Sequence, residues 1–305
     1  MNFGFCTAFT NPADCFCWVR QHLGMIIDQR FRAFELRAEG YTSRGIAKAV
    51  RQGGLVRLRK GQYAVTGSPA AAIHAGQLGG RVDCVSALAL AGVFVRLKHP
   101  PHVQMTPHSS RQTRPPAGTV RHWRACSAPW NDLDVPLIEA LAQAMSCQEP
   151  RDAVASLDSA LHQRLIDLDG LDEAFELAPR RMRILRRMVD GRAESGPETL
   201  VRIAARALGF DAVPQVEFDF GRVDLVLDGW LVVECDSKAH HASWEQRLRD
   251  YERDRRLAAL GFCVLRLVAE DILYDREVVV QALRGLRGAR PARRLVVPNS
   301  VDFGV

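Results

Sequence analysis

The run GRVDLVLDGWLVVECD, residues 221–236, leaves few folds open to this chain. Two apolar stretches flank Asp228-Gly229, a dipeptide suited to a tight turn, so the pattern predicts a β-hairpin. Alternation puts Trp230, Val232, Glu234 and Asp236 on one face of the second strand, with Lys238 in phase while the strand lasts. The same turn brings Asp224, on the first strand, near Glu234 across the ladder. Carboxylates in runs that otherwise read as buried need a cation, because an isolated charge is costly to bury. Two carboxylates this close repel, and one keeps its proton unless a cation lies between them. Magnesium or manganese, held by one or two carboxylates plus waters and phosphate, meets that need and activates water. Lys238 would then orient the water or neutralise developing charge. The alternative is a structural network in which Asp224 and Glu234 pair with Arg222 and Arg266.

The flanks complete a unit. GRAESGPE (191–198) shifts to small and polar residues and marks a boundary, and Pro197–Leu208 reads as a helix. VEFDF precedes the hairpin as a further strand. The stretch 244–262 reads as a helix with Trp244, Leu248, Tyr251 and Leu257 on its apolar side. FCVLRLV is almost wholly apolar and is expected to be a central strand. The order is αβββαβ. Ser195-x-x-Glu198 also reads as a capping box, so Glu198 is either a metal ligand or a cap.

This order resembles the PD-(D/E)xK nucleases, and the motifs resemble more closely a domain of unknown function related to very-short-patch-repair endonucleases. The resemblance rests on S-G-P-E at 195–198, V-D at 223–224 and E-C-D-S-K-A-H at 234–240. It continues through R-D-Y-E-R-D-R-R-L-A-A-L-G-F at 249–262 and V-L-R-L at 264–267. It implies a restriction-endonuclease-like fold with Asp224 and Glu234 as metal ligands and Glu198 as an auxiliary acid. Asp236 and His240 would complete the pocket, supported by Asp250, Arg253, Asp254 and Arg266. Asp250, Arg253 and Asp254 also read as an ion-pair set on a helix surface. The lysine of (D/E)xK would fall at 236, which is Asp here. Lys238 is the candidate substitute.

The N-terminal part reads differently. Asn11–Leu23 is compatible with a first helix. Asp28 is placed to cap a second carrying Phe31, Phe34 and Leu36, and Thr42 or Ser43 a third with Ile46, Ala47 and Val50 inward. LVRLRKGQYAV then alternates around Lys60-Gly61 as a hairpin, Arg57 and Arg59 on one face and Leu58 on the other. Three helices and a hairpin make a winged helix-turn-helix. Arg44, Lys48 and Arg51 would face a major groove, and Arg57, Arg59 and Lys60 would lie along phosphates. GMIIDQ and EGYTSRGIAKAVRQGGLVRLRKGQYAV resemble the N-terminal domain of AbiEi-type antitoxins, which implies DNA binding without catalysis. A basic surface used for protein contacts is the competing reading.

Charge supports the division. Residues 1–125 carry 17 basic and 5 acidic side chains, and the remainder 24 and 30, within a net charge of +6. A basic head suits a polyanion such as double-stranded DNA. No run approaches the length of a membrane span, and no secretory leader is legible. The eight scattered cysteines read as reduced thiols of a cytoplasmic protein, and the C-x-C at Cys15 and Cys17 lacks a matching pair for zinc. His102, His108, His122 and His162 are scattered and receive no role.

The expectation is therefore an α+β multidomain chain. It comprises a winged-helix DNA-binding domain at 12–67, a mainly helical connector at 68–190, a nuclease-like domain at 191–290 and a tail at 291–305. The connector is expected to hold helices at 70–77 and 84–91 and short strands near 102–106 and 119–124. The leading function is magnesium- or manganese-dependent DNA hydrolysis directed by the head. The rival is an AbiEi-like antitoxin or repressor with a silent nuclease fold, partnered by a cognate toxin or by itself.

Overall fold

A computed structural model describes residues 29–107, 118–236 and 244–289; the first helix expected at Asn11–Leu23 and the tail lie outside them. The chain divides into two compact units, one formed by residues up to Gly92 together with Lys98–Cys147, the other by Val93–Leu97 together with the chain from Gln148.

In the first unit, β1 (Arg30–Arg32) is followed by α1 (Ala33–Ala38), α2 (Ser43–Arg51), β2 (Leu55–Arg59) and β3 (Gln62–Val65). The sheet order is β1-β3-β2, all antiparallel. Helix α2 begins where Thr42 accepts a hydrogen bond from the Gly45 N–H at 2.9 Å. Leu36, Ile46 and Leu55 form its small core. The helix expected to carry Phe31 is instead a strand up to Arg32. Pairing of Arg30–Arg32 with Gln62–Ala64 satisfies a backbone that helical periodicity alone would have coiled. Phe34 is consequently exposed.

The same unit continues with α3 (Ala70–Leu78), β4 (Arg81–Val82), α4 (Cys84–Leu90), β5 (His102–Met105), β6 (Val120–Trp123) and α5 (Leu137–Cys147). A second sheet runs β4-β5-β6, its last pair parallel. Both helices and both strands expected in residues 70–124 form within a residue or two of their expected limits.

The second unit contains α6 (Pro150–His162), α7 (Leu168–Leu177), a 3-10 stretch (Arg180–Met188) and α8 (Gly196–Ala207). Then come β7 (Ala212–Phe218), β8 (Gly221–Leu227), β9 (Leu231–Asp236), α9 (Trp244–Ala259), β10 (Cys263–Val268), α10 (Ala269–Tyr274) and α11 (Arg276–Gly288). The expected αβββαβ order is present, with two helices added after it. The sheet order is β10-β9-β8-β7. β7, β8 and β9 are antiparallel neighbours, and α9 carries the chain across to β10, parallel to β9.

The sheet has two covered faces, and the alternation of β8 between them reverses at Asp224. Leu225, Leu227, Leu231 and Val233 join Leu200, Val201, Ala204 and Ala205 of α8 and Val279, Val280 and Leu283 of α11. Val223, Val226 and Val232 join Leu257 of α9 and Phe262 on the opposite side. Among the described residues β10 is an end strand, not the central one its apolar sequence suggested, and Cys263 and Val268 are exposed. Helix α9 also differs. Leu257 is buried, but Trp244, Leu248 and Tyr251 are 66%, 46% and 59% exposed, so only its C-terminal half packs on the sheet.

Candidate active site

The hairpin pairs Leu225↔Val233, Val226↔Val232 and Leu227↔Leu231, which leaves Asp224 and Glu234 just beyond its last paired residues, near enough to feel each other's charge. Glu234 shares the parity of Val232 and meets α9, whereas the alternation of β8 reverses at Asp224, with Val223 and Leu225 in opposite clusters. Asp224 Oδ2 accepts a hydrogen bond from the Cys235 N–H at 2.8 Å, which fixes its carboxylate beside the C-terminal half of β9. Glu234 is 4% exposed. Arg253 of α9 reaches its Oε1 at 2.9 Å as an ion pair. The approach lacks hydrogen-bond alignment, and among the described residues that buried oxygen has no hydrogen-bond donor.

Glu198 arrives from the first turn of α8. Ser195 accepts from the Glu198 N–H at 3.4 Å, so the cap exists. The Glu198 carboxylate, however, accepts from the Glu194 N–H at 2.9 Å and from Gln215 Nε2 at 2.7 Å. The carboxylate is buried, bonded to a side-chain amide of β7 as well as to the helix start, and close enough to Asp224 to feel its charge. Gln215 carried no signal in the sequence. It lies on β7 with φ of +54°, a left-handed conformation unusual for a side chain other than glycine, asparagine or aspartate.

Electrostatics follow from this crowding. Burial pushes the Glu234 carboxyl up to about 7; Asp224 and Asp236 push the same way, and Arg253 and Arg266 oppose them. Burial likewise raises Asp224 against the Cys235 N–H, and raises Glu198 against its donors. Arg266 binds Asp254 at 2.7 Å and Asp236 at 3.3 Å. The structural network expected as the alternative is therefore wired differently: Arg222 pairs with Glu194, Arg266 with Asp254 and Asp236, and Arg253 takes Glu234. Arg253 and Asp254 are thus more than a solvated ion-pair set, while Asp250 is half-buried on the same helix. Lys238, His240 and His241 lie outside the described residues.

The electrostatic setting favours a cation beside these carboxylates. Three buried or half-buried carboxylates with raised affinity for protons lie within reach of one another's charge at one end of the hairpin, and of the three Glu234 is paired with Arg253 at Oε1.

The sequence-proposed basic residues of the first unit separate into two groups. Arg44, Lys48 and Arg51 are exposed along α2, spaced to share a stripe, and Arg57 and Lys60 are exposed on the hairpin. Arg59 is half-buried. A bulge between Arg57 and Arg59 turns it inward, and Nη1 donates to the Leu78 carbonyl at 3.4 Å, at the C-terminus of α3. Gly79 caps that helix with φ of +83°, and a Cβ there would collide with the guanidinium.

Residues 198–285 match the restriction-endonuclease-like family REase_MTES_1575. The matched segment begins at Glu198 and contains Gln215, Asp224, Glu234, Asp236, Arg253, Asp254 and Arg266. No curated protein matches the chain. No helix among the described residues is long and apolar enough to cross a membrane.

Proposed function

We propose that the second unit is a metal-dependent nuclease domain that hydrolyses DNA phosphodiesters, with magnesium or manganese held by Asp224 and Glu234 and supported by Glu198. The observation that carries this reading is the convergence of these carboxylates within the segment matching the endonuclease-like family. A bound divalent cation would supply Lewis acidity toward the phosphate and lower the pKa of a coordinated water. The chain's own residues prepare that chemistry. The Cys235 N–H holds the Asp224 carboxylate, and Gln215 and the Glu194 N–H hold Glu198. Arg253 holds Glu234 through an ion pair at Oε1, which a cation bound there would have to displace. Glu234, near 7 without a cation, releases its proton when positive charge arrives. Lys238 and His240, which follow β9 in sequence, are our candidates for orienting water or neutralising the scissile phosphate.

In this reading the first unit holds a winged helix of AbiEi-like type that binds double-stranded DNA through Arg44, Lys48, Arg51, Arg57 and Lys60, and so directs the nuclease. Arg59 serves chiefly to fasten β2 to α3. The second reading is a regulator with a silent nuclease fold, acting with a toxin or as a self-associated repressor. It is favoured by Asp236, which stands where the motif lysine would be and is paired with Arg266.

The experiment is cleavage of supercoiled plasmid, single-stranded DNA and RNA with magnesium or manganese, using Asp224→Ala protein as control. Cutting of DNA by the wild type alone supports the nuclease. A folded wild type that binds duplex DNA tightly and cuts nothing supports the regulator, and RNA as the preferred substrate overturns the DNA assignment.

A further inference from the structure

Four side chains that the sequence scatters from residue 84 to residue 147 meet inside the first unit. Cys84 is the first residue of α4 and Cys147 the last of α5. His102 opens β5, and His122 lies on β6. The parallel pairing His102↔Val120 and Gln104↔His122 sets the two imidazoles on adjacent strands. His102 Nδ1 and His122 Nε2 are 3.0 Å apart, and Cys147 Sγ is 3.9 Å from His122 Nε2. One donor atom from each of the four residues lies within 4.8 Å of every other. Cys84 and His102 are buried, and His122 and Cys147 are partly buried.

We propose that Cys84, His102, His122 and Cys147 form a structural zinc site. Tetrahedral ligation with zinc–nitrogen distances of ~2.0 Å and zinc–sulfur of ~2.3 Å separates donor atoms by roughly 3.3–3.8 Å, close to the observed spacings. Two thiols and two imidazoles form the borderline-soft set that selects zinc over magnesium or calcium. Four protein donors leave no open position, so the ion is structural and does not react. It would tie both helix ends to the small parallel sheet.

Support around the cluster is extensive. Asp83, fully buried beside Cys84, accepts from Arg124 at 2.7 Å, and Arg124 bonds Glu139 of α5 at 2.5 Å. The His102 carbonyl accepts from the Asp83 N–H at 3.0 Å, and the His102 N–H donates to Ser86 Oγ at 2.9 Å. Cys84 itself has φ of +55°, a strained conformation retained where the side chain must point one way. A disulfide between the cysteines would account for two of the four residues and leave the histidine convergence unexplained.

The test is elemental analysis of the full-length protein purified under reducing conditions, followed by cobalt substitution. One zinc per chain, and the visible bands and thiolate charge-transfer absorption of tetrahedral cobalt, are expected. The ion should persist in Asp224→Asn, which alters only the proposed magnesium site. It should be lost or bound at least tenfold more weakly in His122→Ala and Cys147→Ser. Wild-type protein with reduced thiols, no zinc and no such cobalt spectrum overturns the proposal. So does a Cys84–Cys147 disulfide formed in place of metal, or stoichiometric zinc retained unchanged in both variants.

Discussion

Asp224 on β8 and Cys235 on β9 are joined by a side-chain to main-chain hydrogen bond of 2.8 Å, and this bond locates the candidate site. It lies just beyond the point where the pairing of β8 with β9 stops, at Leu225↔Val233. The carboxylate is thereby fixed next to Glu234 instead of turning to solvent.

The clearest consequence is pH-dependent. In the metal-free folded protein Glu234 sits at about 7, above the ordinary carboxylate range. A raised acid binds protons in the folded state that the unfolded chain has already released. The contribution of this group to stability is therefore greatest below the unfolded pKa and is lost as pH rises from about 4.5 to 7. Asp224 and Glu198 shift in the same direction. Glu234→Gln removes the largest of these penalties and is expected to stabilise metal-free protein at pH 8 by up to about 3 kcal/mol. Magnesium should raise the wild-type Tm at that pH and leave the Glu234→Gln Tm nearly unchanged. Melting curves of the wild type and Glu234→Gln at pH 5 and pH 8, with and without added magnesium, check this; a gain in Glu234→Gln no larger at pH 8 than at pH 5 contradicts it.

Gln215 is expected to matter through Glu198. Gln215→Leu removes the 2.7 Å donor and leaves the carboxylate held by the Glu194 N–H alone. Loss of such an outer hydrogen bond typically costs ~10–100-fold in metal affinity or activity. Cleavage titrated with manganese should show a higher half-saturating metal concentration with duplex binding unaltered. Equal metal dependence in both proteins would remove Gln215 from the site.

These residues show what the sequence made legible. Period-two alternation around Asp228-Gly229 specified the hairpin, whose strands pair as far as Leu225↔Val233, the residues next to Asp224 and Glu234. The αβββαβ order followed from the same local patterns. Gln215 was not readable, because its contribution depends on a left-handed backbone and on a helix start seventeen positions earlier in the chain. Arg253 was ambiguous for a related reason: a helix pattern gives its face but not the strand that face meets. Apolar composition misplaced β10, since an end strand can be apolar when a helix covers part of it. Cys84, His102, His122 and Cys147 have none of the short spacings by which metal sites are recognised, and only the parallel β5–β6 pairing assembles them.

The packing of α6 on α8 carries an independent stability prediction. Arg202 is fully buried, and its Nη2 donates to Asp158 Oδ2 at 2.6 Å while Nη1 donates to the Met188 carbonyl. Asp158 also accepts from Thr199 Oγ1 and from the Asp190 N–H. Removing one partner strands the other charge, so Asp158→Ala is expected to cost about 3–5 kcal/mol. Asp158→Ala combined with Arg202→Met should cost much less than the sum of the separate changes. Urea unfolding of the four proteins measures the coupling, and additivity would show that the pair does not act as a unit.

The basic surface of the first unit divides by geometry, and the division is measurable. Arg44, Lys48 and Arg51 form an exposed stripe, whereas Arg59 donates to the Leu78 carbonyl at the end of α3. Every basic side chain that neutralises a duplex phosphate steepens the fall of log affinity with log salt by about 0.9. Replacing Arg44, Lys48 and Arg51 together with Ala is therefore expected to flatten that slope by roughly 2–3, with little change in melting temperature. Arg59→Ala should do the reverse: a lower melting temperature with the slope nearly intact, because its guanidinium serves the carbonyl end of a helix instead of a phosphate. Fluorescence anisotropy with a labelled duplex over a salt series, beside thermal melts of each variant, separates the two effects. A slope that falls equally in both variants would return Arg59 to the nucleic-acid surface, and one that falls in neither would remove this face from DNA binding.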